Sequence, residues 1–338
     1  MTETDKLIPA IVDNVREAQN EDFLYKELFA DAGATVKNNQ FLFFIKPEIT
    51  VKNDSIQLEE ILKLIFAKIN EFGFSVHDIK ILTAKYLDQF DIIAQHYGVI
   101  NQIASNAVAN MSEGAKDKFK ELFGKSVTEA NILGGLEFLA KYPEFTATSL
   151  DYLCQNIGSK KLAGGTYVVE VKLDDETVYL INGFHGRQLK QFTDKGKSII
   201  VISLSSDTDW SNARNNFIGA TDPTKANAGS LRRSFLDNKE KLGLPDVSQG
   251  ANGVHLSAGP VEALVELQRY NSNFSTGEAK AFTEFSFGKQ LAEAFDENAV
   301  QSIVQNKNVD VAGKSTSVFD LTEEKNSSEA LAMLKELF

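Results

Sequence analysis

Residues 40–45, Gln-Phe-Leu-Phe-Phe-Ile, form a nearly continuous apolar run that stops at Lys46-Pro47-Glu48. A run so short and so apolar suits a central strand, and proline ends it because it has no N–H to give to a ladder. After a polar connection, Leu58, Ile61, Leu62, Ile65, Ile69 and Phe72 recur at helical spacing, and Gly73 supplies a C-terminal stop. Residues 76–82 read as a second strand. Thr83 then caps a helix with Leu87, Phe90, Ala94 and Tyr97 on one face. Strand, helix, strand, helix commits this part of the chain to a layered α/β arrangement, with helices packed on a sheet.

The flanking regions are less regular. Residues 1–38 read as one or two helices, from Ile8, Ile11 and Val12, then Phe23, Leu24 and Leu28. Residues 98–142 read as mostly helical, and the mixed charges of 116–123 as a solvated face. Residues 166–173 and 177–182 alternate apolar and polar around Asp174-Asp175-Glu176, a hairpin pattern. A short helix around Leu189 and Phe192 and a strand at 198–204 follow. Beyond Asn271 the chain is polar and acidic, and a final amphipathic helix over 329–338 is of the kind that docks on a neighbouring domain or subunit.

With 43% hydrophobic and 24% charged residues, 338 residues can bury one large core or two modest ones. A net charge of −12 argues against a general role on duplex nucleic acid, where phosphate neutralisation dominates affinity. The first residues lack the basic patch and apolar run of a signal peptide, and no stretch approaches the roughly 18 apolar residues of a membrane span. The expectation is a cytoplasmic protein with neither nucleic acid nor membrane as partner. One cysteine, Cys154, excludes an internal disulfide and reads as a packed thiol, and no Cys/His cluster has metal-ligand spacing.

The chemistry concentrates in residues 209–270. Asn252-Gly253-Val254-His255-Leu256-Ser257 follows a loop rich in Gly, Pro, Asp and Asn and precedes a helix that starts near Pro260. A neutral histidine there is a good nucleophile near pH 7. Glu266, eleven positions on, can fold back to fix its tautomer. Upstream, Gly219-Ala220-Thr221-Asp222-Pro223 and Gly229-Ser230-Leu231-Arg232-Arg233 combine turn residues, a hydroxyl and guanidinium groups that can hold phosphate oxygens. Each piece alone also has a plain reading: a satisfied histidine, a solvated helix glutamate, a surface turn before a basic helix start.

Taken in order, Lys46-Pro47-Glu48, His96-Tyr97, Gly219-Ala220-Thr221-Asp222-Pro223, Gly229-Ser230-Leu231-Arg232, Asn252-Gly253-Val254-His255-Leu256-Ser257 and Glu266 resemble the motifs of nucleoside diphosphate kinases. The resemblance covers about 39–97 and 198–273. It implies an α/β (α+β) fold with a ferredoxin-like split βαβ antiparallel sheet, plus helices from an insertion and terminal extensions. The domains would be a helical extension over 1–38, a kinase-like domain over 39–273 with an insertion at about 98–197, and an extension over 274–338.

The resemblance implies that His255 takes the terminal phosphate of a nucleoside triphosphate and passes it to a diphosphate, in ping-pong order. Lys46 and Asn252 would serve the sugar, Lys46 also the transferring group, and Tyr97 would stand beside the histidine. Thr221 and Arg232 would hold the phosphate chain, Glu266 and Ser257 would support His255, and Mg²⁺ would bridge the phosphates. Assembly into a homo-oligomer stays open.

Several departures bear on this reading, among them a loop between Phe235 and Asn252 longer than the family norm. Glu48 replaces the family's aspartate, and Leu256 replaces its glycine after the histidine, which is expected to narrow the approach. The family's helix arginine, four residues before the turn glycine, falls on Asn215, so Arg214 could serve only after a shift in helical register. The family's nucleotide lid is displaced by the insertion, with Phe145 as a candidate stacking residue. Asn215, Leu256 and the insertion motivate the alternative, a nucleotide-binding or interaction module without catalysis.

Overall fold

The computed structural model describes residues 3–31, 33, 35–173 and 176–338. They form two compact units, one of residues up to Phe90 with Lys195–Phe338, the other of Asp91–Asp194. In chain order the strands are β1 (Tyr25–Ala30), β2 (Asn39–Ile45), β3 (Ser75–Thr83), β4 (Ile132–Gly134), β5 (Lys160–Ala163), β6 (Thr166–Leu173), β7 (Glu176–Ile181), β8 (Ser198–Ser206) and β9 (Val254–Leu256). A small hairpin, β10 (Asn308–Val311) and β11 (Lys314–Ser317), comes last.

The first unit is built on an antiparallel sheet in the order β1-β3-β8-β2-β9. β2 and β3, joined by helix Leu58–Glu71, run parallel with β8 between them, and β8 reaches β9 through helix Leu231–Asp237 with β2 between them. This is the ferredoxin-like split βαβ arrangement twice over, with β1 added at one edge. β2 reads as continuously apolar because both its faces are covered. Phe41, Phe43 and Ile45 pack with Ile61, Leu62 and Ile65 of that helix and with Ile11 and Val15 of helix Glu3–Gln19. On the other face, Phe44 lies against Tyr270 of helix Pro260–Asn271, with ring centroids 5.7 Å apart.

Two local expectations are corrected. Residues 25–30 are a strand and not a helix, because β3 offers an edge on which Tyr25 pairs with Leu82 and Ala30 with Asp78. The helix expected after Thr83 is two helices, Ala84–Gln89 and Ile92–His96, broken at Asp91 with φ 52°.

Residues after Asn271 cover the outer side of helix Pro260–Asn271. Val261 and Leu264 share a core there with Phe287, Leu291 and Ile303, and with Ala330 and Leu334 of the last helix, Ser327–Lys335. That final helix therefore docks within its own unit.

The second unit has a sheet in the order β4-β7-β6-β5. β6 and β7 form the expected hairpin, whose turn residues Asp174 and Asp175 lie outside the described residues. Phe145 packs on Phe138 in this unit's own core at 5.2 Å, beside the buried Cys154, whose thiol burial pushes up to about 12. Among the described residues, no helix is long and apolar enough to cross a membrane.

Candidate active site

β9 is three residues long and lies at the edge of the sheet, so its alternation decides what the site presents. His255 pairs with Phe44 and stacks on its ring at 4.5 Å and 19°. Leu256, on the opposite face, is fully buried in the main core with Phe43. The expected narrowing by Leu256 therefore does not arise from its side chain.

Glu266 sits in the second turn of helix Pro260–Asn271, and its side chain is 3% exposed. Its Oε1 is 2.9 Å from His255 Nε2, and its Oε2 accepts a hydrogen bond from Ser257 Oγ at 2.6 Å. Ser257 Oγ in turn accepts the Leu42 N–H at 3.0 Å, which ties the carboxylate to β2. A carboxylate this buried needs such partners. Burial lowers the pKa of His255. Glu266 opposes that shift, while the charges of Lys46 and Arg214 add to it.

Lys46 continues β2 past Ile45, and its N–H donates to the Gly253 carbonyl at 2.9 Å. Its Nζ donates to Asn252 Oδ1 at 2.7 Å, and Asn252 Nδ2 donates to the Thr221 carbonyl at 3.1 Å. Burial lowers the pKa of Lys46; Glu48 raises it and Arg232 lowers it further. Glu48 Oε1 accepts the Gly253 N–H at 2.9 Å, so Glu48 pins the loop before His255. Gly253 has φ 80°, and a Cβ there would lie 2.8 Å from Ile49 Cδ1. Only glycine suits that position.

Gly219, with φ 86°, is equally constrained: a Cβ would lie 2.3 Å from Ser230 Oγ. Arg232 is buried, and its NH1 and NH2 donate to the carbonyls of Gly219 and Val254 at 2.9 and 3.0 Å. It braces the turn against β9. Thr221 is exposed at the turn.

Residues Ala213–Ile218 form a π-helix, which shifts the register by one residue relative to an α-helix. Arg214 NH1 donates to the Leu256 carbonyl at 2.9 Å, whereas Asn215 is exposed and bonds the Ser211 carbonyl. Arg214 therefore lies beside β9, and Asn215 faces solvent.

The first unit thus gathers His255, Glu266, Ser257, Lys46, Asn252, Thr221, Arg232 and Arg214. Tyr97 belongs to the second unit, where it meets His96 edge-on at 4.9 Å. Two residues escaped the sequence reading. Glu262, one turn before Glu266, is pushed up to about 8 by burial and then by the charge of Glu266. Glu323 lies 3.9 Å from Arg214 NH2. Glu262 was legible in principle from its helical spacing to Glu266, whereas nothing local marks Glu323. A cavity of about 610 Å³ between helix Glu3–Gln19 and residues 49–60 is lined by none of these residues. It mixes Arg16 and Lys52 with Asp54, Glu59 and Glu60, which gives it no cationic bias.

The first unit is thus a split βαβ sheet that presents a carboxylate-supported histidine among cationic side chains. No protein-family model and no curated protein matches the chain. Solved structures similar to it include a nucleoside diphosphate kinase from Encephalitozoon cuniculi, at 13% identity and TM-score 0.33, covering 72% of this chain and 95% of that one. Another is an NDP kinase from Pyrobaculum aerophilum, at 16% identity and TM-score 0.32, covering 72% and 99%. At those scores the likeness says nothing about chemistry.

Proposed function

We propose that the chain is a phosphotransferase of the nucleoside diphosphate kinase type, with His255 as the phosphate carrier and a magnesium nucleoside triphosphate as substrate. The observation that carries the reading is the contact between Glu266 Oε1 and His255 Nε2 at 2.9 Å. A carboxylate there takes the Nε2–H and selects the tautomer with its lone pair on Nδ1. Nδ1 attacks the terminal phosphorus, and the bond to the bridging oxygen breaks as the diphosphate leaves. Glu266 then stabilises the ring's positive charge. A terminal oxygen of a second diphosphate attacks the phosphorus, the N–P bond breaks, and the neutral ring returns. Lys46, Arg214 and Arg232 supply positive charge for the phosphate oxygens, which is most of what phosphoryl transfer asks of a protein. Lys46 and Asn252, already hydrogen-bonded to each other, suit a sugar hydroxyl. Mg²⁺ bound to the nucleotide would supply further neutralisation of phosphate charge, beside that of Lys46, Arg214 and Arg232.

Incubation with terminal-phosphate-labelled ATP and Mg²⁺ tests this: the protein should take up label that is acid-labile and alkali-stable, and His255→Ala should not. A nucleotide-binding module without transfer is the second reading, favoured by Arg232, whose NH1 and NH2 both serve backbone carbonyls. It requires bound nucleotide and no label.

A further inference from the structure

The segment after helix Val318–Thr322 crosses beside the loop that follows the nucleophile. The Glu324 N–H donates to the Ala258 carbonyl at 2.9 Å, and a Cβ on Gly259 would lie 2.4 Å from the Thr322 oxygen. Asn326 fixes the far side of the crossing. Its Oδ1 accepts the Trp210 N–H and Asn39 Nδ2, each at 3.0 Å, and its Nδ2 donates to Asp209 Oδ1 at 2.9 Å. Glu323 is thereby held between two anchored stretches of backbone.

Its carboxylate lies 3.9 Å from NH2 of Arg214, the same guanidinium whose NH1 is fixed on Leu256. Arg214 Nε is buried and, among the described residues, has no hydrogen-bond partner. A carboxylate and a phosphate oxygen make the same demand on a guanidinium. Glu323 is 50% exposed, and an ion pair so long and so hydrated gives way readily.

We propose that Glu323 stands in for a nucleotide phosphate, holding Arg214 in the unloaded site and competing with the incoming triphosphate for it. This rests on the reading of Arg214 as a phosphate-binding residue. Of the carboxylates near Arg214, Glu323 is the one whose oxygen approaches the guanidinium, at 3.9 Å from NH2. The competition raises the concentration of triphosphate needed to load the site and speeds the departure of the diphosphate. Glu323 is a positioning residue, acting through Arg214 and not on the reacting atoms.

The test compares Mg·ATP affinity by calorimetry, and histidine labelling against ATP concentration, in the full chain and in Glu323→Gln, Glu323→Ala, Arg214→Ala and Arg214→Ala/Glu323→Gln, with thermal melts to verify folding. Both Glu323 variants should bind ATP about three- to tenfold more tightly, with half-saturation of labelling lowered by the same factor and the saturating rate changed less than twofold. In the Arg214→Ala background the gain should vanish. Unchanged or weaker binding overturns the proposal, as does an equal gain without Arg214, which would mark a general charge effect. Binding without label refutes only the phosphotransfer reading and leaves the Glu323 comparison decisive. No ATP binding by any variant overturns both.

Discussion

The Gly219 N–H donates to the carbonyl of Arg214 at 3.1 Å, a bond that spans five residues where an α-helix spans four. Deleting the exposed Asn215 should convert this turn to α and leave Arg214 four residues before Gly219, on the same side of the helix. We expect ATP affinity within about threefold of the wild type, read by calorimetry. A loss as large as that of Arg214→Ala would show that the π turn itself is required.

The two arginines should separate in their effects. Arg214→Ala should weaken ATP binding about ten- to hundredfold, the worth of a charge-assisted hydrogen bond of about 1.5–3 kcal/mol, with a modest change in melting temperature. Arg232→Ala strips the carbonyls of Gly219 and Val254 of their donors and should lower stability by about 2 kcal/mol or more, seen as a lower melting temperature without nucleotide.

Labelling of His255 should persist on acidification past the usual imidazole pKa of about 6.5, because burial favours the neutral, nucleophilic ring. The rate should fall only below the lowered pKa. Glu266→Gln removes the influence that raises this pKa, so its acid limb should move to still lower pH while the rate at neutral pH drops about ten- to hundredfold. A limb that moves upward contradicts the electrostatics of the pair.

Glu262 carries the opposite sign. Its carboxyl is pushed from 4.5 up to about 8, so the folded chain binds a proton there that the unfolded chain has lost, and stability falls as pH rises between those values. Glu262→Gln removes the ionisation. Its melting temperature should exceed the wild type's by an amount that grows from about pH 5 to pH 8 and then levels off, at about 2–4 °C for each kcal/mol. An advantage independent of pH would mean that Glu262 is not the titrating group.

If His255 carries the phosphate, initial rates with varied donor and acceptor should give parallel double-reciprocal lines, because the first diphosphate must then leave before the second enters. His255→Ala should lose nearly all turnover and still bind nucleotide. Intersecting lines would point to direct transfer.

Much of the sheet was legible because its cause is local. The run at 40–45, the helical period from Leu58 and the stop at Gly73 each carry their signal within a few residues. β1 was not, since Phe23, Leu24 and Leu28 fit a helical period as well as a strand, and only the distant edge of β3 selects the strand. The break at Asp91 has neither glycine nor proline to announce it. Of the site, His255 and Glu266 could be paired from spacing. The π turn concerns backbone hydrogen bonds, which side-chain spacing leaves undetermined, so the sequence could name Arg214 and not its orientation. Glu323 reaches the site from 68 residues beyond His255, where nothing local distinguishes it from a surface charge.

His255 lies on an edge strand of the sheet, and sheet margins attract other backbones. β9 offers only three residues to pair with, and the opposite margin, β1, is broken by a change of register between Glu27 and Phe29. Neither border is long or regular enough to template another chain's strand. The shortness of β9 and the break in β1 thus disfavour edge-to-edge association of the sheet with another chain's strand.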